Sequence, residues 1–237
     1  MEKEKVFAID VDGVLRDNLG AIVELYNKEF NDNKRPEEIT DFRTEVSFPR
    51  IETETGMTAS NWFFQEHSKE LFLDAAPFPH VKEDIEFLRT QGKVIIVTYQ
   101  KSWLNKTQTL EWLEKNGIEA DGVCFLKDKT LLHPGDNKEL IFIDDNDWNF
   151  VGSNANVGIL IDAPYNRHVV ERELCSRSNC DLIMRAASLR QFVADYLACK
   201  RRIETDTTLK ILDNLKNSVD SMIEDLPENV KKMNING

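Results

Sequence analysis

The chain has 237 residues, of which 41% are hydrophobic and 30% charged, so it can bury a sizeable core and is not disordered throughout. Its 30 Lys and Arg residues against 42 Asp and Glu residues give a formal net charge of −12, which opposes binding to long nucleic acids and to anionic lipid surfaces. We expect neither a membrane-spanning helix nor a signal peptide, because the chain has no apolar run long enough for a span and no apolar signal-peptide segment at its start.

Five short apolar runs are predicted to form β-strands. They lie at residues 6–9, 94–97, 123–126, 141–143 and 157–161. Because the runs do not alternate with polar residues, we expect each strand to be buried on both faces. Helical patterns separate the strands, and this order predicts a doubly wound, mainly parallel α/β sheet.

The segment at 18–78 interrupts the alternation of strand and helix. It opens with an amphipathic helix whose apolar residues are Ile22, Leu25, Tyr26 and Phe30. A second helical stretch at about 59–73 is rich in aromatic residues. Because the segment is too long for a simple crossover between strands, we predict an inserted helical cap at 18–78 and a core formed by 1–17 and 79–204.

Two helices are predicted between the later strands. The first ends at Gly92, and the second covers about 106–115 with Leu110 and Leu113 on its apolar face. Gly117 is the predicted stop of the second helix.

The tail at 205–237 carries an apolar stripe with heptad-like spacing. The stripe consists of Leu212, Leu215, Val219, Met222 and Leu226, and it ends at Pro227. Two interpretations stay open: a C-terminal helix docked on its own domain, or a helix through which two copies form a homo-oligomer.

The four cysteines form no CxxC pair and no zinc-type cluster with histidine. The absence of such cysteine patterns predicts that the thiols are reduced and that the protein is cytoplasmic. Cys175 and Cys180 are predicted to be ordinary thiols, with a redox pair as the alternative.

The most informative residues are Asp10 and Asp12, which follow the first predicted strand directly. Thr98 and the pair Asp144-Asp145 follow two other strands, and ligands of an open α/β sheet bind beyond the carboxyl ends of its strands. Carboxylates that meet at such an edge repel one another unless a cation neutralises them, and Mg²⁺ suits a few carboxylate oxygens with a phosphate and water. The alternative for each site alone is a simple turn or a solvated helix start.

These residues resemble the four motifs of the haloacid dehalogenase (HAD) superfamily. The motifs are FAIDVDGV, IIVT, a lysine and IFIDD, in this order within residues 6–145. The chain is further similar to the cytosolic and mitochondrial type of 5′(3′)-deoxyribonucleotidase. That likeness rests on Pro77-Phe78-Pro79, on Asp128-Lys129-Thr130 and on the Ala-Pro-Tyr-Asn-Arg element at 163–167.

The resemblance implies a HAD-like, Rossmannoid fold and specific roles for the aspartates. Asp10 would be the nucleophile that forms an aspartyl-phosphate, and Asp12 the general acid and base. Mg²⁺ would be held by the Asp10 side chain, the Asp12 backbone carbonyl and Asp145. Asp144 would hold a metal-bound water or orient the lysine.

The resemblance also implies which residues bind the phosphate. Thr98 would donate its hydroxyl to a phosphate oxygen, and Lys129 would supply a positive charge. Lys127 is the alternative to Lys129 for the lysine of the motif. Tyr99 would either stack on a substrate ring or narrow the pocket.

Aromatic residues of the cap are candidates to stack on a nucleobase, since every base offers a π-face. The candidates are Phe42, Trp62, Phe63 and Phe64. Phe42 is preferred because it lies in the polar, irregular part of the segment.

Together with these residues, the resemblance implies a Mg²⁺-dependent phosphomonoesterase for small substrates, most simply a 5′(3′)-nucleotidase for (deoxy)nucleoside monophosphates. One alternative keeps this chemistry but changes the substrate to another small phosphate ester or a polynucleotide 3′-phosphate end. A second alternative is an inactive HAD-fold module used for binding or assembly.

Overall fold

The computed structural model describes residues 3–202 together with Lys210 and Lys216. The β-strands of this part of the chain are β1 (Glu4–Ile9), β2 (Lys93–Thr98), β3 (Gly122–Phe125), β4 (Lys138–Asp144), β5 (Val157–Ile161) and β6 (Leu182–Ala186). They form one sheet in the order β3-β2-β1-β4-β5-β6, and every neighbouring pair is parallel. The predicted doubly wound parallel α/β fold is confirmed, and its strand order reverses between β1 and β4.

The register of the central strands places their polar ends side by side. Ile9 of β1 pairs with Ile96 of β2 and with Ile143 of β4. The next residues along β1 and β4 are Asp10 and Asp144, which therefore lie next to each other at the carboxyl edge of the sheet. The crevice where the strand order reverses is the usual ligand site of such sheets.

The edges of the sheet differ from the prediction. The run at 123–126 was expected to be buried on both faces, but β3 is an edge strand whose Val123 and Cys124 are exposed. A strand at the end of the sheet leaves its side chains more open to solvent than a central strand does, and the composition of the run does not reveal that position. The other edge strand, β6, was not predicted from the sequence, and its Leu182 and Met184 are exposed.

The chain between β1 and β2 forms short helices with a core of their own. The α-helices of this segment are α1 (Asn18–Phe30), α2 (Thr44–Ser47), α3 (Arg50–Thr55) and α4 (Ala59–Asn61), followed by π-helical turns at Trp62–Glu66 and Glu70–Asp74. Their buried apolar residues form one cluster around Tyr26, Phe48 and Phe63. This cluster supports the interpretation of 18–78 as a cap, and the boundaries of the core and the cap remain predictions.

Helices α5 (Val81–Gln91) and α6 (Trp103–Lys115) precede and follow β2. α5 ends at Gly92 as predicted. α6 begins three residues earlier than predicted, because the Ser102 side chain accepts the amide of Asn105 and caps the helix. The expected apolar face of α6 is wrong in one position, since Leu110 is 45% exposed while Trp112 is fully buried.

A short helix, α7 (Glu171–Ser176), precedes β6, and residues 189–202 are helical. The compact unit that holds the sheet runs to Val193, and residues from Ala194 onward belong to a second unit. The apolar residues of the predicted tail stripe lie outside the described residues. Among the helices that the structure describes, none is both long and apolar enough to cross a membrane.

Candidate active site

Asp10, the residue that follows β1, is nearly buried, with 7% of its surface exposed. Its amide donates to the carbonyl of Ile143 in β4 at 3.0 Å, and its Oδ1 accepts the amide of Val11 at 2.8 Å. Its Oδ2 lies 2.8 Å from Nζ of Lys129. The carboxylate is therefore fixed at the carboxyl edge of the sheet by contacts on both oxygens.

Asp144, the last residue of β4, is fully buried and also has donors on both oxygens. Lys129 Nζ donates to its Oδ2 at 2.6 Å, and the amide of Asn146 donates to its Oδ1 at 2.8 Å. Of the two lysines that the sequence left open, the structure places Lys129 between the aspartates, with 3% of its surface exposed. Lys127 is exposed.

Lys129 begins a short 3₁₀ turn, Lys129–Leu131, that is held by hydrogen bonds to Thr130. The Asp128 side chain accepts the amide of Thr130 at 3.0 Å and its hydroxyl at 2.6 Å. Asn154 donates to the Thr130 carbonyl at 2.9 Å. These bonds fix the backbone from which the Lys129 side chain reaches the carboxylates.

Asp145 reaches the same place because the loop after β1 leaves room for it. Gly13 has a φ of +75°, and a Cβ at this position would lie 1.9 Å from Asp145 Oδ2. Any other residue would therefore collide with the carboxylate as well as strain the backbone. The Asp-Gly pair at 12–13 is thus a turn, and this turn is also part of the site.

The carboxylates of Asp10, Asp144 and Asp145 have oxygens within 4.8 Å of one another, and all three residues are buried. Lys129 offsets one of the three negative charges. Hard carboxylate oxygens that carry excess negative charge are the donor set that a divalent cation such as Mg²⁺ prefers. The residues present therefore fit a metal ion, while the assignment of Asp10, Asp12 and Asp145 as its ligands stays a prediction.

Burial shifts the acidity of this cluster. Burial raises the pKa of Asp10 from 3.8 to about 6, although the charge of Lys129 acts in the opposite direction. Burial, together with the charge of Asp144, raises the pKa of Asp145 well above its usual range. Burial opposes the charge on Lys129 as well, but Asp10 and Asp144 more than compensate and raise its pKa. The lysine is consequently protonated, whereas two carboxylates bind protons more readily than usual.

We expect Mg²⁺ to stabilise the protein more at pH 7 than at pH 5. Since the pKa of Asp10 is higher in the folded chain than in the unfolded one, its contribution to stability is present at low pH and lost as pH rises through about 6. A cation offsets that loss only where the carboxylate is ionised. Ionising Asp10 between pH 5 and pH 7 is worth about 1.4 kcal/mol, so the rise in Tm caused by Mg²⁺ should be roughly 3–6 °C larger at pH 7.

The measurement is thermal unfolding in Mg²⁺ and in EDTA at both pH values. Taking the difference between the two conditions removes the effect of acid groups elsewhere. Asp145→Asn is the control, and we expect it to lose most of the Mg²⁺-dependent increment. An increment that does not change with pH would contradict the proposed competition between metal and protons.

Asp12 lies at the open side of the cluster, with 29% of its side chain exposed. Its Oδ2 accepts the side-chain amide of Gln100 at 2.8 Å, and its Oδ1 accepts Nε of Arg16 at 2.8 Å. Sequence reasoning missed both partners. For Arg16, the one sequence feature that could have indicated a contact with Asp12 is its basic side chain close to an acidic motif. Nothing in the sequence indicates the contact of Gln100.

The two predicted phosphate-binding residues after β2 occupy different environments. Thr98 is the last residue of β2 and is 1% exposed, two residues beyond the Ile96 that pairs with β1. Tyr99 is 45% exposed. The buried position of Thr98 at the sheet edge suits a contact with a phosphate oxygen, and the exposed position of Tyr99 suits a contact with a substrate ring. Both roles stay predictions.

Of the aromatic candidates in the helical segment, Phe42 is the exposed one. Its ring meets the ring of Tyr165 edge-on at 5.4 Å, and the Tyr165 hydroxyl donates to Oδ2 of Asp145. Phe42 is thus linked to the carboxylate cluster through a single intervening side chain, that of Tyr165. Trp62 and Phe63 are buried in the core of the segment, and Phe64 packs against that core.

The loop after β5 carries the Ala-Pro-Tyr-Asn-Arg element at 163–167, and its contacts with the site have no signal in the sequence. Asn166 donates to the backbone carbonyl of Asp145 at 2.6 Å and to that of Ile161 at 2.7 Å. Arg185 of β6 donates to the Asn166 side chain at 2.7 Å and holds the loop in place. Burial, followed by the charge of Asp145, raises the pKa of Tyr165 well above its usual value, so its hydroxyl stays protonated.

We expect Tyr165→Phe to weaken Mg²⁺ binding by about 10-fold, at the lower end of the effect of removing a group that orients a ligating carboxylate. The substitution deletes the hydroxyl that donates to Asp145 and keeps the ring that contacts Phe42. Titration calorimetry with Mg²⁺ measures the change, and Tyr196→Phe, outside the compact unit of the site, is the control. An unchanged affinity for Mg²⁺ would show that the hydrogen bond from Tyr165 to Asp145 does not contribute to metal binding.

Solved structures of HAD-type proteins share the fold at low sequence identity. A haloacid dehalogenase-like hydrolase from Burkholderia xenovorans is 13% identical, has a TM-score of 0.50, and covers 82% of this chain and 99% of its own. A protein from Thermotoga maritima assigned as a β-phosphoglucomutase is 15% identical, has a TM-score of 0.51, and covers 82% and 98%. A haloacid dehalogenase-like family hydrolase from Streptococcus pneumoniae is 16% identical, has a TM-score of 0.50, and covers 82% and 98%.

The sequence itself matches one family model over most of its length. The match spans residues 4–189 and is to the model described as 5′ nucleotidase, deoxy (pyrimidine), cytosolic type C protein. No curated protein matches the sequence. The matched range contains every residue of the site just described, from Asp10 to Arg185. The chain therefore belongs to the 5′-nucleotidase, deoxy (pyrimidine), cytosolic type C family of the HAD superfamily and is a hydrolase of the phosphatase type.

Proposed function

We propose that this phosphatase is a Mg²⁺-dependent phosphomonoesterase that acts through an aspartyl-phosphate on (deoxy)nucleoside monophosphates. The observation that carries the proposal is the meeting of three buried carboxylates with one buried lysine at the carboxyl ends of β1 and β4. Such a cluster suits an anionic substrate only if a cation is bound with it. The family supplies the substrate class, since its model describes a deoxynucleotidase.

The chemistry divides between Asp10 and Asp12. An oxygen of Asp10 attacks phosphorus and the ester oxygen leaves, which splits one difficult displacement into two steps. Asp12 protonates the leaving oxygen and then takes a proton from the water that hydrolyses the aspartyl-phosphate. Asp12 fits this role because its carboxyl group is partly exposed beside the nucleophile, whereas Asp144 and Asp145 are buried.

The remaining residues would bind the phosphate group and the metal ion. Lys129 faces Asp10 and Asp144, and with Thr98 it would bind the phosphate oxygens of the substrate. Asp10, Asp145 and the Asp12 carbonyl would hold Mg²⁺. When bound, the ion supplies the positive charge that lets a phosphate approach the carboxylates.

The helical segment at 18–78 would act as a cap over this site. Its exposed Phe42 already lies against Tyr165, which donates to Asp145. A base stacked on Phe42 or Tyr99 would be enclosed by the cap, which excludes water from the phosphate. Enclosure by such a cap and a net charge of −12 would both favour a small substrate over a polynucleotide.

The test is phosphate release from a panel of ribo- and deoxyribonucleoside 5′- and 3′-monophosphates, with and without EDTA. We expect hydrolysis of nucleotides that stops when the metal is removed. A nicked DNA with a 3′-phosphate should be a poor substrate, and a preference for it would overturn the substrate assignment. Absence of hydrolysis with every phosphate ester would leave an inactive binding module.

The proposed setting of the enzyme is the cytoplasm. All four cysteines are free thiols, which suits a reducing compartment. Association through the C-terminal tail remains a prediction, and gel filtration of the full chain against a chain that ends at Lys200 would test it.

A further inference from the structure

Arg16 is a fully buried arginine whose guanidinium faces Asp12. The loop after β1 turns back on itself, with the Arg16 amide donating to the Val11 carbonyl at 2.9 Å and the Gly13 amide to the Arg16 carbonyl at 3.0 Å. This turn sets Arg16 beside the aspartate four residues earlier. Nε and Nη2 of Arg16 lie 2.8 Å and 2.7 Å from the same oxygen, Oδ1 of Asp12.

The rest of the guanidinium is enclosed by two other parts of the chain. Nη1 donates to the carbonyl of Phe72 in the helical segment, and Nη2 lies 3.4 Å from the hydroxyl of Thr109 in α6. The rings of Phe72 and Trp112 lie 5.2 Å and 5.1 Å from its central carbon. Arg16 is therefore enclosed on all the sides described, and its charge is balanced by Asp12.

Asp12 is oriented from both sides as a result. Arg16 fixes Oδ1, and Gln100 donates to Oδ2 at 2.8 Å. A carboxyl group that transfers a proton must hold one geometry relative to the reacting oxygen, and a displacement of about 1 Å can cost 10²-fold in rate. A buried arginine packed against two aromatic rings provides a support for that geometry.

We propose that Arg16 is a positioning residue that sets the orientation of Asp12 and ties it to the packing of the helical segment and α6. This inference rests on the proposed function, because it assigns Arg16 to the proton-transfer step of that reaction. Arg16 is fully buried, so it acts through Asp12 and not on the substrate. Its effect should therefore appear only where proton transfer to the leaving group matters.

The test compares two substrates whose leaving groups differ in their need for a proton. A deoxynucleoside 5′-monophosphate releases an alkoxide, which must be protonated, whereas p-nitrophenyl phosphate releases a stable phenolate. The measured quantity is kcat/KM, because it covers the steps up to departure of the leaving group. Their ratio does not depend on the fraction of folded protein, so a loss of stability does not disturb it.

We expect Arg16→Met to lower kcat/KM for the nucleotide by about 30–100-fold and for p-nitrophenyl phosphate by about 3-fold or less. Arg16→Lys, which keeps the charge but not the two-point contact, should fall between Arg16→Met and the wild type. The matched control is Arg190→Met, which removes an arginine paired with the buried Asp84 and should leave the ratio unchanged.

Equal losses with both substrates in Arg16→Met would overturn the positioning role and leave Arg16 as a structural residue. That outcome would leave the proposed function intact, provided that the wild-type protein hydrolyses the nucleotide. A wild-type protein inactive toward both esters would instead remove the proposed function, and with it the role of Arg16.

Discussion

Asp10→Asn should abolish turnover, with a loss of about 10⁴-fold or more in kcat, on the scale seen when a covalent nucleophile is removed. The amide retains the shape of the carboxylate but cannot form the acyl-phosphate bond. It also leaves Lys129 with Asp144 as its remaining partner in the described cluster. Phosphate release from a nucleoside monophosphate measures the loss.

The covalent step has its own readout. Wild-type protein quenched in acid during turnover should carry a phosphoryl group by intact-mass spectrometry, and Asp10→Asn should carry none. Asp136→Asn makes the same chemical change at an exposed aspartate and should behave like the wild type. Full activity in Asp10→Asn would exclude the aspartyl-phosphate and require another nucleophile.

The convergence of Asp10, Asp144 and Lys129 could be predicted from the sequence, because residues that follow buried parallel strands come together at one edge of the sheet. Asp10 and Asp144 directly follow apolar runs, and parallel strands bring their carboxyl ends to one edge. The lysine motif favoured Lys129 over Lys127, and the contacts of Lys129 with both aspartates agree with that choice.

The surroundings of the site could not be predicted in the same way. Arg16, Gln100 and Tyr165 contact the acidic residues through tertiary packing that has no short-range pattern. The edge strand β3 illustrates the same limit, because a short apolar run does not reveal whether strands flank it on both sides. Phe42 was favoured because it lies in an irregular segment, and an exposed ring is more common there than on a packed helix.

Asp10 and Asp12 have different charged partners, and this difference matches the two roles proposed for them, nucleophile and general acid. Asp10 shares Lys129 with Asp144 in a buried cluster, so its environment favours a group that stays in place and bonds to phosphorus. Asp12 has Arg16 and Gln100 as partners and keeps 29% of its side chain exposed, which is the access that the proposed proton transfer to the leaving group requires. Two carboxyl groups two residues apart are thus given different partners by the fold.

Asp12→Asn tests this assignment of roles and should lower kcat/KM for a nucleoside monophosphate by roughly 10²–10⁴-fold, the usual contribution of a general acid. For p-nitrophenyl phosphate we expect a loss of about 10-fold or less, since its leaving group departs without a proton. The phosphoryl group should still appear on Asp10 with this second substrate. Equal losses for the two esters would show that Asp12 is not the acid.

Combining Asp12→Asn with Arg16→Met gives a double-mutant cycle for the pair. If Arg16 acts through Asp12, its substitution should change the ratio of kcat/KM for the two esters in the wild type but not in the Asp12→Asn background. The Arg190→Met substitution should add independently in both backgrounds, because its partner Asp84 lies outside the carboxylate cluster. An undiminished effect of Arg16→Met in Asp12→Asn would mean that the arginine supports the reaction by another route, such as the packing of Phe72 and Trp112 around the loop.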